Sequence, residues 1–225
     1  MDPRATALAA LDRDGACLWP DGLDADCLRA LEEGLAGGPL LERRPIGLET
    51  LNAWLQPTFL PTLATNILGP GARPVRALLM GKGESENWAI AFHQDTTVAL
   101  KAHRDVPGFG PWVNKAHFYN VQAPAAVMAG MLATRVHLDD CGPGNGPLKV
   151  LPGSHRRGRL DDTAIAAQAA VAEPLAFHAE RGQIVLMRPL VLHGSDRAEE
   201  PAPRRVLHIE WAGVELPGAL EWAWF

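Results

Sequence analysis

Hydrophobic positions follow two rhythms along this chain. From Asp24 to Leu35 (DADCLRALEEGL) the apolar residues Cys27, Leu28, Leu31 and Leu35 fall at helical spacing, with Asp24 placed to cap the start and Gly37-Gly38 to stop it. A second helix is predicted between Pro61 and Leu68, ended by Gly69-Pro70, and Gly15 to Pro20 (GACLWP) reads as a short strand. From Pro74 the pattern becomes short apolar runs between Gly, Pro and Asn: Val75 to Met80, Trp88 to His93, Val127 to Leu138, Leu148 to Leu151, Gln183 to Met187 and Arg205 to Trp211. Such runs predict an all-β sandwich or barrel rather than a doubly wound sheet, because they do not alternate with helices. One helical interruption is expected, at Asp161 to Val171 (DDTAIAAQAAV). The expected organisation is a single domain over 1–225, with a mainly helical support over 1–73 and the barrel over 74–225.

Composition narrows the partners. The 225 residues are 47% hydrophobic and 21% charged, with a net charge of −5, which is ordinary for a globular protein. No Lys/Arg cluster marks a nucleic-acid or anionic-membrane surface, and no apolar run approaches a membrane span. Met1 to Arg13 alternates apolar and charged residues and does not read as a signal peptide. Cys17, Cys27 and Cys141 are odd in number and lack CxxC spacing, so neither a disulfide framework nor a zinc knuckle is expected, and a reducing cytoplasm is the simplest home. Nothing in the pattern sets an oligomeric state.

Candidate chemistry sits at the end of one predicted strand. In NWAIAFHQD (87–95) the strand pattern closes on His93-Gln94-Asp95. Residues i and i+2 of a strand share a face, so His93 and Asp95 can aim a nitrogen and an oxygen at one point. That is two-thirds of a facial 2-His-1-carboxylate triad, which leaves open positions on Fe(II). A second HxD, His103-Arg104-Asp105, ranks lower: it lies between Lys101 and Pro107-Gly108, a loop context, and its middle residue is cationic. For the third ligand, His193 stands out among the eight histidines, because it ends the run Ile184 to Leu192 and leads into a polar loop. Taken alone, a histidine in this position is more often a hydrogen-bonded strand-end residue than a metal ligand. The following segment RRVLHIEW shifts the balance, since a carboxylate cosubstrate on iron needs a fixed cation and Arg204 or Arg205 supplies one. Adjacent strand residues point oppositely, so only one of the two enters the barrel. Ser195 could add a hydroxyl to the same carboxylate.

These residues resemble the phytanoyl-CoA dioxygenase family. The matching pieces run in family order: NWAIAFHQD, GFGPW (108–112), RVHLDD (135–140), NGPLKVLPGSH (145–155), RGQIVLMRPLVLHGS (181–195) and RRVLHIEW (204–211), preceded by DGACLWPDGLDADCLRAL. The resemblance implies a mainly β fold, a double-stranded β-helix (a jelly-roll, cupin-like barrel) with N-terminal helices packed outside. It implies Fe(II) on His93, Asp95 and His193, with 2-oxoglutarate and O2 as cosubstrates. It points to Arg204 for the 2-oxoglutarate carboxylate, with Arg205 still open because the spacing depends on the loop, and to Ser195 beside it. Asp95 argues against a halogenase. The chain departs from the family in Phe92, where Trp is usual, and in being short.

The implied reaction hydroxylates, or otherwise oxidises, an unactivated C–H of a small-molecule metabolite while 2-oxoglutarate becomes succinate and CO2. Arg135, Lys82 and Asn87 are further candidates for the cosubstrate, and Trp112, Phe109, Trp88, His155 and His137 for the substrate pocket or its surroundings. Arg135 and His137 share a strand face; a salt bridge from Arg135 to Asp139 or Asp140 is the plainer alternative. No basic cluster marks a coenzyme A site, so a free metabolite is the expected substrate class. Two rivals stand beside this reading: a metal-dependent cupin-type enzyme that does not use 2-oxoglutarate, and a non-catalytic barrel that binds a small molecule.

Overall fold

A computed structural model of the chain describes residues 2–35, 44–115 and 118–223. The first helix, α1 (Pro3–Asp14), starts where Asp2 accepts a hydrogen bond from the Arg4 amide and ends at Gly15, whose φ of 85° is left-handed. In α2 (Ala25–Leu35) the predicted stripe Cys27, Leu28, Leu31 and Leu35 is buried, and the Asp24 carboxylate caps the Cys27 amide. The expected stop at Gly37-Gly38 lies outside the described residues. Helix α4 (Leu60–Leu68) occupies the predicted second helix; α3 (Leu48–Leu55) before it was not foreseen.

All these helices cover one face of a six-stranded antiparallel sheet, ordered β1 (Ala16–Trp19), β11 (Ile184–Met187), β8 (Met131–His137), β13 (Arg204–Ala212), β3 (Arg73–Lys82) and β2 (Arg44–Pro45). Alternation sorts the sheet's residues: Leu79, Leu132, Val136, Leu186, Leu207, Ile209 and Trp211 pack outward against Leu11, Leu28, Leu31 and Leu60 of the helices. A buried leucine contributes about 1.5–3 kcal/mol, so the helical layer is held by its apolar stripe and not by its exposed ion pairs.

The opposite face meets a four-stranded antiparallel sheet, ordered β10 (Leu175–Phe177), β9 (Leu148–Leu151), β12 (Leu192–Ser195) and β4 (Ile90–His93). One end of the space between the sheets is closed by apolar packing: Ala133, Val185 and Met187 of the large sheet against Leu148, Val150 and Phe177 of the small one. The other end is polar and holds the site. This is the jelly-roll barrel that the sequence led us to expect, with helices outside.

Two expectations need correction. The run Val127 to Leu138 is not one strand: α5 (Ala125–Ala129) occupies its start, and only after Gly130 does β8 begin. A short buried helix and a buried strand are equally apolar, so periodicity alone does not part them. Helix α6 (Asp162–Ala169), capped by Asp161 as anticipated, is therefore not the single interruption. The undiagnosed stretch around Val98 to Trp112 contributes to a third sheet, β5 (Thr97–Leu100), β7 (Phe118–Gln122) and β6 (Trp112–Lys115). No described helix is long and apolar enough to cross a membrane.

Candidate metal centre

Antiparallel pairing of β4 with β12 sets His93 directly opposite His193. Their rings lie 4.3 Å apart. Asp95 follows just beyond β4, its amide donating to the Pro189 carbonyl at 2.9 Å, and its carboxylate reaches 3.9 Å from His93 Nε2 and 3.5 Å from His193 Nε2. Among the described residues this trio forms the one group of three potential ligands, with donor atoms within 4.8 Å of one another. Each ring's Nδ1 sits 2.9 Å from the carbonyl two residues back, Ala91 for His93 and Val191 for His193. A carbonyl only accepts, so Nδ1 carries the proton and the Nε2 lone pairs face Asp95. Burial pushes the His193 pKa down to about 4 although Asp95 opposes it. Burial resists ionisation of Asp95, but His193, His208, His93 and Arg76 together hold its pKa below the usual carboxylate value. A neutral imidazole beside an ionised carboxylate is the protonation state that a divalent cation requires, and the donor set fits Fe(II).

Gly194 explains the HGS spelling. A Cβ there would stand 2.6 Å from the Ile90 carbonyl, so only glycine lets β4 pass close enough to align the two histidines. Ser154 adds a latch: its hydroxyl donates to Leu151 O and accepts from the Leu192 amide, one residue before His193. Gln94, the middle residue of HQD, points the other way and ties down the neighbouring loop. Its Nε2 donates to Gly158 O and Leu190 O, and its Oε1 accepts from the Leu160 amide. Leucine at this position should strand three backbone groups, costing about 1–3 kcal/mol for each that stays buried. Gln94→Leu is therefore expected to lower Tm and to speed hydrogen exchange at the Leu160 amide; an unchanged exchange rate there would disprove this tether.

The same cavity continues to a cationic end. Its walls include His93, Asp95, His193, Ser195, Arg204 and Arg135, which thus lie together as the sequence suggested. Lys82 sits behind Ser195, donating to its Oγ at 2.9 Å and to Asp196 O at 2.7 Å, with its ammonium 4.4 Å from the Trp88 ring centre. Arg204 is 1% exposed and donates to Gly146 O at 2.6 Å, while its buried Nε has no hydrogen-bond partner. Gly146, in the NGPLK segment, is left-handed (φ 58°), and a Cβ would press within 2.7 Å of Asp196 O. Lys82 and Arg204 are directly paired across β3 and β13. Neither forms an ion pair with a described residue, and like charges placed opposite each other repel. Arg135 completes the group, with Nη1 3.2 Å from His208 Nδ1.

Other candidates fall elsewhere. Arg205 points to the outer face, where Asp139 holds it by two hydrogen bonds from its guanidinium and Glu32 by a third at 2.9 Å; the acid that could have bridged Arg135 is thereby occupied. Asn87 exchanges two hydrogen bonds with the Ala198 backbone and serves as a loop clamp. Phe109 joins a separate core with Val98, Leu100 and Trp222. Trp112 stacks on His103 at 4.6 Å, in the third sheet, away from the cavity. His155 packs against Gly15, where a Cβ would come within 2.5 Å of its Nδ1. His137 does face inward beside Arg135, but it is 1% exposed, outside the cavity lining, and its ring nitrogens have no hydrogen-bond partner. Burial, with Arg135 and Arg204 nearby, pushes its pKa down to about 3. The second HxD stays in a loop, His103 Nε2 3.5 Å from Asp105. Two titratable lining residues went unforeseen, His208 and Glu210. The signal was present: once Arg204 faces inward, alternation turns 206, 208 and 210 inward too.

A jelly-roll barrel that gathers two histidines and a carboxylate at one end, with buried cations further in, defines a non-haem metal oxygenase. The chain belongs to the phytanoyl-CoA dioxygenase (PhyH) family, whose model matches residues 11–206. It is an Fe(II)- and 2-oxoglutarate-dependent oxygenase. Solved structures share the fold. AviO1 from Streptomyces viridochromogenes Tue57 is 22% identical over 96% of this chain and 97% of that one, with a TM-score of 0.67. EctD from S. alaskensis, with 2-oxoglutarate and 5-hydroxyectoine, is 22% identical over 92% and 75%, TM-score 0.66. HygX from Streptomyces hygroscopicus, with nickel, 2-oxoglutarate and hygromycin B, is 14% identical over 92% and 86%, TM-score 0.63. No curated protein matches the chain.

Proposed function

We propose that His93, Asp95 and His193 hold the iron and that Arg204, Lys82 and Ser195 receive the far carboxylate of 2-oxoglutarate, so that the chain oxidises a C–H bond of a small metabolite. The observation that carries this reading is the buried, cross-strand Lys82–Arg204 pair, which forms no ion pair with a described acid: Arg204 and Ser195 line the cavity that begins at the triad, and Lys82 stands directly behind Ser195. An anion with charge to spare at one end satisfies both features. A metal enzyme that does not use 2-oxoglutarate, or a binding barrel without metal, leaves the two cations without a counter-charge.

When bound, iron with 2-oxoglutarate and O2 supplies the oxidising power for an unactivated C–H, with succinate and CO2 as the other products. The protein's share is positioning. The carbonyl-anchored imidazoles fix the ligand lone pairs, so little order is lost when the metal enters. Arg204 offers its free Nε and the rest of its fork to a carboxylate. Because Lys82 donates to Ser195 Oγ, the serine's own hydrogen is free to donate to the same carboxylate. Arg135, held by His208, adds a third positive charge to the wall. Cys17, Cys27 and Cys141 are free and buried, which supports a reducing, cytoplasmic setting.

Adding Fe(II) and then 2-oxoglutarate to the metal-free protein without oxygen is expected to give a weak visible charge-transfer band only when both are present. No band, together with no succinate formed in air, would overturn the proposal. A pH dependence also follows. Burial first, and Arg204 next, push the Lys82 pKa down to about 8, against the weaker pull of Cys141 and Asp196. KM for 2-oxoglutarate should therefore rise as the pH passes about 8, and Lys82→Met should remove that rise. In the protein without cosubstrate the sign is opposite: between about 8 and 10.5 the unfolded chain binds more protons, so this group's contribution to stability improves with pH. A flat KM profile from pH 7 to 9 would contradict a cosubstrate role for Lys82.

A further inference from the structure

A second cavity, of ≈ 560 Å³, opens beside the first and shares His93 as a wall. Its volume is in the range of small-molecule sites. Thr96, just before β5, and Gln122 on β7 line one part of it, and Arg159 and Asp161 of the loop into α6, with Asp162 at the start of that helix, line another. Five polar side chains thus converge on one space next to a proposed iron ligand. Asp161 spends one oxygen on capping α6. The side chains of Thr96, Gln122, Arg159 and Asp162 make no hydrogen bond or ion pair with a described residue. The loop that carries the charged members is not free to drift, because two of the three hydrogen bonds of Gln94 fasten it at Gly158 and Leu160. Helix α6 itself has no buried residue, so its position owes little to packing.

Resting on the oxygenase reading above, we propose that this cleft seats the substrate, and that the substrate is a compact metabolite rich in hydroxyl or amino groups, neutral or cationic, rather than an acyl thioester. Uncommitted donors and acceptors held on a pinned wall select a ligand by its hydrogen bonds. A long acyl chain needs an apolar tunnel, and only Leu160 and Ile165 offer apolar walls here. Coenzyme A brings several phosphate charges, and two carboxylates facing one guanidinium repel them. Gln122 on β7 and Asp162 at the start of α6 are the specificity determinants: they line the cleft from two separate elements, and neither has another described partner.

Saturation-transfer NMR on the chain without iron or 2-oxoglutarate reads the cleft by itself. With glucosamine, myo-inositol, spermidine and hexanoyl-CoA as probes, transfer is expected to at least one of the three polar probes. In a Gln122→Leu/Asp162→Lys double variant that transfer should fall at least fivefold, with far-ultraviolet circular dichroism unchanged. Single Gln122→Glu and Asp162→Asn variants, which keep size, should give intermediate losses. Transfer to hexanoyl-CoA alone, no transfer to any polar probe, or transfer that survives the double variant would overturn the proposal. The oxygenase reading has its own readout, substrate-independent succinate formation in air, so failure of one is told from failure of the other.

Discussion

Alanine at His93, Asp95 or His193 is expected to abolish iron-dependent turnover, with losses well beyond the ~10–100-fold typical of groups that merely orient a ligand. Each of the three supplies a donor atom within 4.8 Å of the other two, so two remaining donors no longer define a facial site. The charge-transfer band should vanish in all three variants. His103→Ala is the control, because His103 pairs with Asp105 in a separate loop and stacks on Trp112. Anaerobic titration with Fe(II) and 2-oxoglutarate checks both; a band retained in Asp95→Ala, or lost in His103→Ala, would assign the metal to the wrong HxD. The His93 and His193 variants should stay folded, since the rings meet each other, Asp95 and main-chain carbonyls rather than core side chains.

The second large effect concerns two neighbours that look alike in sequence. On the proposed assignment, Arg204→Leu is expected to remove a buried, charge-assisted contact to the cosubstrate, a loss of about 2–5 kcal/mol, which is a rise in KM for 2-oxoglutarate of roughly 30-fold or more. Its stability should change little, because relief of the like-charged Lys82 opposite it offsets the loss of the hydrogen bond to Gly146 O. Arg205→Ala should do the reverse. It breaks the hydrogen bonds to Asp139 and Glu32 that fasten β13 to α2, lowering stability by ~1–3 kcal/mol, and leaves KM for 2-oxoglutarate where it was. Steady-state kinetics with thermal melts separates the two. A comparable KM rise in Arg205→Ala would reverse the assignment.

That pair also marks how far the sequence could be read. Strand alternation established that only one of Arg204 and Arg205 enters the barrel, yet it could not say which, since the choice depends on where β13 begins to pair with β3. The acid that claims Arg205, Glu32, lies in a helix 173 residues earlier in the chain, and no local pattern announces such a partner. His93 and Asp95 were legible because period-two geometry is local. His193 needed the HGS context, whose glycine turns out to serve the close passage of β4. Trp112 and Phe109 were misplaced because an aromatic residue in a β domain gives the same signal whether it lines a pocket or fills a core. The third sheet was missed because its strands are short and their polar positions dilute the alternation. Gln94 was passed over as a spacer between ligands, although its hydrogen bonds join the metal strand to the α6 loop and to Leu190 O before β12.

The repelling cations across β3 and β13 have a consequence beyond catalysis. On the proposed assignment, a barrel built around the buried Lys82 and Arg204 gains their counter-charge only when a dianion settles between its sheets. Folding and loading are then linked by mass action: at a hundred times its dissociation constant, 2-oxoglutarate adds about 2.7 kcal/mol to the folded state. In a cell the survival of this protein would follow the supply of a central carbon intermediate, so that its abundance acts as a gauge of that pool, and purification away from the dicarboxylate leaves the chain at its most fragile.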